Sequence, residues 1–231
     1  MRRFFLVLCG LLAWLNLSNA SAETWRVAAI EDWPPYMDKS LKGKALGYGA
    51  LELALNKIGV KLQVDYYPWN RARYLAKHDD RYIGYYCAWP EEVDEGFFAS
   101  VPIFHSPVVL ISKKTGALPS YGTVDLSQKF VALVKSYIYP APYEGLKRQV
   151  RVANGEVLLR SLLLNRVDYG VIDKYVLRYL VQTRPALRAI AEEIYVHEDT
   201  EMSMPLVLAF KDTPANRERA ERLAAAMDSY P

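Results

Sequence analysis

Cysteine and histidine are scarce in this 231-residue chain, with two and three copies respectively. Charge is nearly balanced, 29 Lys and Arg against 26 Asp and Glu. A chain with no basic run and no large positive surplus carries no electrostatic footprint for nucleic acid. After residue 22 no apolar stretch reaches the roughly 20 residues that a membrane-spanning helix requires, so no membrane insertion of the mature chain is expected. There is no nucleophile elbow and no phosphate-cradling glycine loop. His78, His105 and His197 stand too far apart to share a metal with one another or with a cysteine. No metal, no cofactor and no histidine-based catalysis are expected, and lone histidines of this kind read as surface residues.

What is present begins with "MRRFFLVLCGLLAWLNLSNASA". Arg2 and Arg3 form a positive end, Phe4 to Leu17 an apolar run, and Ala20-Ser21-Ala22 a small-residue cleavage site, the three parts of a secretory signal peptide. Residues 1–22 are therefore set aside, with cleavage expected after Ala22 and a periplasmic destination. Loss of Arg2 and Arg3 leaves 27 basic residues facing 26 acidic ones. One cysteine, Cys87, remains, so no intramolecular disulfide forms and packing alone must hold the fold; a lone thiol reads as buried and inert.

Strand-like and helix-like segments then alternate. "TWRVAAI" (24–30) is a short apolar strand, and "GYGALELALNKIG" (47–59) puts Leu51, Ala54, Leu55 and Ile58 at helical spacing. "VKLQVDYY" (60–67) alternates as a half-buried strand, "PWNRARYLAK" is a helix opened by Pro68, and "RYIGYYCAW" (81–89) is a strand. Further on, "KFVALVK" reads as a strand, "APYEGLKRQV" as helical, and "ANGEVLLRSLLLN" as an apolar helix capped by Asn154. "VDYGVID" is a strand, "KYVLRYLVQ" a helix, "MPLVLAFK" (204–211) a strand, and Thr213-Pro214 opens a last helix to about Asp228. The alternation predicts an α/β sheet protein.

Ligands of such proteins sit beyond the carboxyl ends of the strands, which selects the loops at 31–37, 67–71, 87–92, 135–139 and 173–175. These loops are rich in rings and acids: Asp32, Trp33, Tyr36, Trp69, Tyr85, Tyr86, Trp89, Glu91, Glu92, Tyr137 and Asp173. Rings offer rigid contact area, and carboxylates orient cationic or hydroxylated ligands. Any single ring is better read as core; five strand ends with one chemistry point to a shared pocket.

Taken in order, "WRVAAIEDWPPYM", "GYGALELALNKIGVKLQVDYYPW", "SVPIF" and "GEVLLRSLLLNRVDYGVIDKYVLRYLV" resemble the family 3 solute-binding proteins, the periplasmic polar amino-acid-binding components of ABC transporters. The resemblance implies the type II periplasmic-binding-protein fold: two α/β lobes joined by a two-segment hinge, closing on a small solute. Crossovers are then expected near Val109–Lys113 and around Glu193–Met204. Lobe 1 covers 23–110 plus 200–231, and lobe 2 covers 111–199. The resemblance implies a monomer that binds without catalysis and delivers its solute to an inner-membrane ABC permease or to a sensor domain. Carried over by position, Trp33 is the ring that stacks on the ligand, Asp173 the acceptor for its ammonium group, and Ser136 and Tyr137 the hydroxyl-bearing start of a lobe 2 helix.

One stretch departs from the pattern. Where α-amino-acid binders carry an arginine forked onto the ligand carboxylate, this chain reads Pro90, Glu91, Glu92, Val93, with Tyr85, Cys87 and Trp89 before it. Two like charges about 4 Å apart at an effective dielectric of ~20 repel by roughly 4 kcal/mol, enough to reject an ordinary amino acid. Three remedies stay open: Arg71 or Arg73 beside Trp69 supplies the fork, Ser136 and the helix start hold the carboxylate, or the ligand is an amine. Two other classes also stay open, a cyclic-acid dehydratase on the same fold with Glu92 as its acid, and a protein whose cleft binds nothing.

Overall fold

The computed structural model describes residues 23–41, 43–114, 124–135 and 137–228. The expected leader at 1–22 and Ser136 lie outside them. Strand β1 (Thr24–Ile30) lies between two parallel neighbours, β4 (Lys61–Tyr67) and β5 (Gly84–Ala88). It is buried on both faces because Trp25, Val27 and Ala29 pack on Leu51 and Leu55 on one side and Ala28 packs with Ala72 and Ala76 on the other. Between them come a short hairpin, β2 (Asp32–Trp33) with β3 (Met37–Asp38), then α1 (Leu46–Lys57), and after β4 the helix α2 (Trp69–His78). Leu51, Ala54 and Leu55 form the buried stripe of α1, as their spacing predicts. Gly59 follows that helix at φ +68, a left-handed position that glycine takes without steric cost.

A short strand β6 (Phe97–Ala99) leads to β7 (Phe104–Lys113), β8 (Val131–Val134), the single turn α3 (Ala141–Glu144), β9 (Gln149–Val152), α4 (Gly155–Leu163) and β10 (Tyr169–Asp173). The chain ends with α5 (Lys174–Thr183), α6 (Pro185–Glu193), the 18-residue strand β11 (Ile194–Lys211) and α7 (Pro214–Asp228). Asn154 caps α4 by accepting from the Val157 amide at 3.0 Å, and Thr213 caps α7 through the Asn216 amide at 3.3 Å. No helix among the described residues is long and apolar enough to cross a membrane.

The strands form one curled sheet in the order β4-β1-β5-β11-β7-β10-β8-β9, with β6 also on β11. Two α/β halves result, each with helices packed on its part of the sheet. The β7–β11 ladder is the bridge between them, and its register breaks between His197 and Met202. Thr200 closes that break: its hydroxyl accepts from the Leu110 amide at 2.9 Å and donates to the His197 carbonyl at 2.6 Å.

Two readings need correction. The segment "APYEGLKRQV" is helical only over Ala141–Glu144; Gln149–Val152 instead pairs in parallel with Val131–Val134. Tertiary pairing there outranks local helix preference. His78 and His105 are exposed, but His197 is 2% exposed, 2.9 Å from the Ser112 hydroxyl through Nε2 and against the Tyr195 ring. Burial lowers its pKa, so it stays neutral within the ladder.

Candidate functional site

The chain leaving β1 folds back at once as the β2–β3 hairpin. Its turn, Trp33-Pro34-Pro35-Tyr36, has a cis peptide between the prolines and is closed by the Tyr36 amide on the Trp33 carbonyl at 2.9 Å. This sets the Trp33 and Tyr36 rings 4.8 Å apart. The start of α1 docks on the same turn, with the Gly47 amide donating to the Tyr36 carbonyl at 2.9 Å. A side chain at Gly47 does not fit, because a Cβ there would lie 2.9 Å from that carbonyl oxygen and 3.2 Å from the Cys87 sulfur.

Cys87 sits in a β-bulge. Across the β5–β11 pair, Tyr86 faces Leu208 and Ala88 faces Val207, so Cys87 has no opposite number and adopts φ +75. Bulges re-aim the residues that follow; here they aim Trp89 and the 3₁₀ turn Pro90–Glu92 into the space beyond β1 and β5. The thiol is 2% exposed, and burial pushes its pKa well up. Glu92 folds back so that its carboxylate accepts the Trp89 amide at 3.0 Å beside the Trp69 indole. Burial raises the Glu92 pKa, and these donors pull against it.

A cavity of about 40 Å³ results, walled by Trp33, Trp69, Cys87, Trp89, Glu92 and Tyr137 over Ile30. Three of its rings form a triangle in edge-to-face contact: Trp33–Trp89 at 5.8 Å, Trp89–Tyr137 at 5.7 Å and Trp33–Tyr137 at 5.9 Å. Among the described residues Glu92 is the one carboxylate of this lining, and no Lys or Arg lines it. The indole N–H groups of Trp33 and Trp89 are buried without a hydrogen bond of ordinary geometry. That of Trp33 lies beside the Tyr137 hydroxyl, and that of Trp89 has no partner among the described residues, which is uncommon for a buried donor. Trp33 and Tyr137 also wall a second, more polar cavity of about 160 Å³ whose lining includes Asp32, Asn154, Glu156 and Arg184.

The other singled-out residues lie elsewhere. Asp173 is 1% exposed, and its carboxylate is fully engaged: it accepts the Tyr36 and Ser106 hydroxyls at 2.6 Å each and the Val176 amide at 2.8 Å. Burial raises its pKa against the pull of those donors. It thus joins the end of β10 to the β2–β3 turn, and it does not line either cavity. Tyr85 supports the Glu92 turn from behind, its hydroxyl donating to the Glu92 carbonyl at 3.0 Å and accepting the Asp94 amide at 2.8 Å. Tyr86 is buried, bonded to the Gly47 carbonyl at 2.9 Å. Arg71 is exposed on α2, its guanidinium 5.4 Å from the Tyr74 ring centroid. Arg73 is paired with Asp94, donating from Nε and Nη2 to the two carboxylate oxygens.

The residues that reasoning from strand ends did not reach are Glu156 and Arg184, because they stand at helix ends. Asn154 carried a signal, as a cap, but not as a cavity wall. Among the described residues no group of three His, Cys, Asp or Glu side chains could hold a metal.

The Arg73–Asp94 pair yields a pH prediction. The Arg73 guanidinium holds the Asp94 carboxyl below the usual range, so the pair's contribution is present above the unfolded value of about 3.9 and is lost as pH falls through the folded one. Asp94→Asn should therefore lower the melting temperature near neutrality, and the gap to the native protein should close as pH approaches about 2. A gap unchanged between about pH 6 and about pH 2 would show that the pair is not what links Asp94 to stability.

The architecture of two α/β halves bridged by paired crossover strands, with a ring-lined gap at the strand ends, is the type II periplasmic-binding fold. Three-dimensional similarity confirms it. A histidine kinase sensor domain with similarity to periplasmic binding proteins matches at TM-score 0.65 and 18% identity, over 89% of each chain. The VFT2 domain of BvgS from Bordetella pertussis matches at TM-score 0.68 and 15% identity, over 90% of this chain and 88% of that one. Truncated ArgBP from T. maritima in its arginine-bound form matches at TM-score 0.58 and 18% identity, over 90% and 96%. No protein-family model and no curated protein sequence matches the chain.

Proposed function

We propose that this protein captures a small polar solute, an amine or an amino-acid-like molecule, in the periplasm by closure of its two lobes, for import through an ABC permease or for sensing. Lobe 1 is then 23–110 with 200–231, lobe 2 is 111–199, and the β7–β11 ladder is the hinge, its register break absorbing the rotation. The observation that carries this reading is the aromatic chamber: rings from the ends of β1 and β5, roofed by Tyr137 beyond β8, around the single carboxylate of Glu92. Solute-binding sites combine an apolar lining with a few placed polar groups in this way.

Charge decides between the solute classes. Arg71 is exposed on α2, and Arg73, though near enough to Glu92 to feel its charge, is held by Asp94. Neither lines the chamber, so an α-carboxylate entering it meets Glu92 with no guanidinium in the wall to hold it. A cation meets a carboxylate and ring faces. At about 100 times its dissociation constant a ligand stabilises by roughly 2.7 kcal/mol, a rise of roughly 5–11 °C in melting temperature for a domain of this size. The test is a melt series with amines, neutral amino acids and acidic amino acids, each recovered afterwards to show that it is returned unchanged. A shift with acidic amino acids and none with amines removes the amine reading; a chemically altered solute removes the binding-protein reading.

A further inference from the structure

The chamber's hydrogen-bonding inventory narrows the solute further, taking as given that the chamber is the ligand site. A primary ammonium brings three N–H donors. Against them the lining offers the Glu92 carboxylate, which already accepts the Trp89 amide and meets the Trp69 indole, the Tyr137 hydroxyl beside the Trp33 indole, and the Cys87 thiol, which is a weak acceptor. An ammonium N–H turned to the ring faces of Trp33, Trp69 or Trp89 finds no acceptor there, at roughly a tenfold loss of affinity for each. N-methylation removes those donors, adds apolar surface that the rings cover, and leaves the positive charge to the ring faces and to Glu92.

The same walls hold the opposite need. Trp33 is 7% exposed and Trp89 is 2% exposed; the Trp33 indole N–H lies beside the Tyr137 hydroxyl, and that of Trp89 is without a partner among the described residues. Buried donors are satisfied in almost all proteins, so the Trp89 N–H calls for an acceptor that the chamber wall does not supply. A bare tetraalkylammonium ion cannot meet it. We infer that the chamber binds an N-methylated ammonium compound that also carries an oxygen acceptor a few bonds from the nitrogen, the charge held among Trp33, Trp89, Tyr137 and Glu92 and the oxygen by the Trp89 indole N–H. The triangle of rings, with centroids 5.7–5.9 Å apart, opens to admit it, edge contacts being exchanged for contacts with the methyl groups.

The experiment is titration calorimetry on the mature chain with matched pairs that carry no carboxylate: choline against ethanolamine, and 3-(trimethylammonio)propanol against 3-aminopropanol, with tetramethylammonium as the oxygen-free control. At least one methylated member should bind at least roughly 30-fold more tightly than its parent, and tetramethylammonium at least roughly tenfold more weakly than that member. Trp89→Phe keeps a ring and removes one N–H, so it should narrow the gap to tetramethylammonium; far-UV circular dichroism confirms that it folds. A parent amine binding as tightly as its methylated partner, and lost in Trp33→Ala, overturns the methylation inference while the amine-binding reading stands. Tetramethylammonium binding as tightly as both methylated alcohols overturns the oxygen requirement. If no member of the pairs binds while another compound of a broad polar-solute panel moves the melt, the inference falls and the binding reading stands; if nothing moves the melt, both fall.

Discussion

Asp173→Ala lowers the melting temperature by roughly 8–16 °C, the shift corresponding to about 4 kcal/mol in a domain of this size. The carboxylate serves three buried donors, and alanine strands all of them. The Tyr36 and Ser106 hydroxyls, each 2.6 Å away, lose their acceptor, and the Val176 amide at the start of α5 loses its cap. A stranded buried donor costs about 1–3 kcal/mol and a lost helix cap about 1 kcal/mol; solvent entering the space left by the side chain offsets part of the sum. Asp173→Asn retains one oxygen and nearly the same volume, so it should cost about half as much or less. Tyr36→Phe removes one donor together with its bond and should be milder still. The three variants rank in that order in a denaturant titration at neutral pH, and equal melting temperatures for Asp173→Ala and the native chain would show that these bonds are not formed in solution. The same variants separate two uses of the residue. If Asp173 holds the β10 end to the Trp33 turn, Tyr36→Phe loosens the cleft without touching the solute; if it bonds the solute directly, Asp173→Asn loses binding out of proportion to its loss of stability.

Trp33→Ala, on the binding reading, weakens solute affinity at least roughly 100-fold, equivalent to about 2.7 kcal/mol. Trp33, like Tyr137, walls both cavities and makes two of the three ring contacts of the triangle, and its ring stands at the turn after β1. Its removal merges the cavities, opens the chamber to water and deletes the indole N–H beside the Tyr137 hydroxyl. The substitution also costs stability, about 3–5 kcal/mol for a buried large-to-small change, so binding is measured well below the variant's melting transition. Trp33→Phe separates the effects. It preserves a ring and removes the N–H, and it should lose roughly tenfold in affinity with a smaller loss of stability. Native affinity in folded Trp33→Ala would place the solute elsewhere in the molecule.

Much of this was legible in the residues. Thr24–Ile30 had to be a buried strand because a run of apolar residues that short, followed by turn residues, fits the centre of a parallel sheet. Asn154 and Thr213-Pro214 marked helix starts because capping is local chemistry, and both caps are formed. The strand-end rule selected loops from which Trp33, Trp69, Cys87, Trp89, Glu92 and Tyr137 wall one cavity, because in a parallel sheet the carboxyl ends share one edge. It also selected Tyr85, Tyr86 and Asp173, which do not line it, since position at a strand end does not fix where a side chain packs.

The sequence by itself thus determined the α/β alternation, the secretory leader as an expectation and the chemistry of the chamber wall, since each rests on period, propensity or local capping. Only the tertiary structure decided that Asp173 is bonded to Tyr36, Ser106 and Val176, that Arg71 is exposed and Arg73 is taken by Asp94, that His197 is buried in the β7–β11 ladder, and that Gln149–Val152 is a strand. Those outcomes depend on which donor reaches which acceptor across separations such as the 137 residues between Tyr36 and Asp173. No local rule carries that information, because the energy of such a bond is set by the partner that packing brings to it.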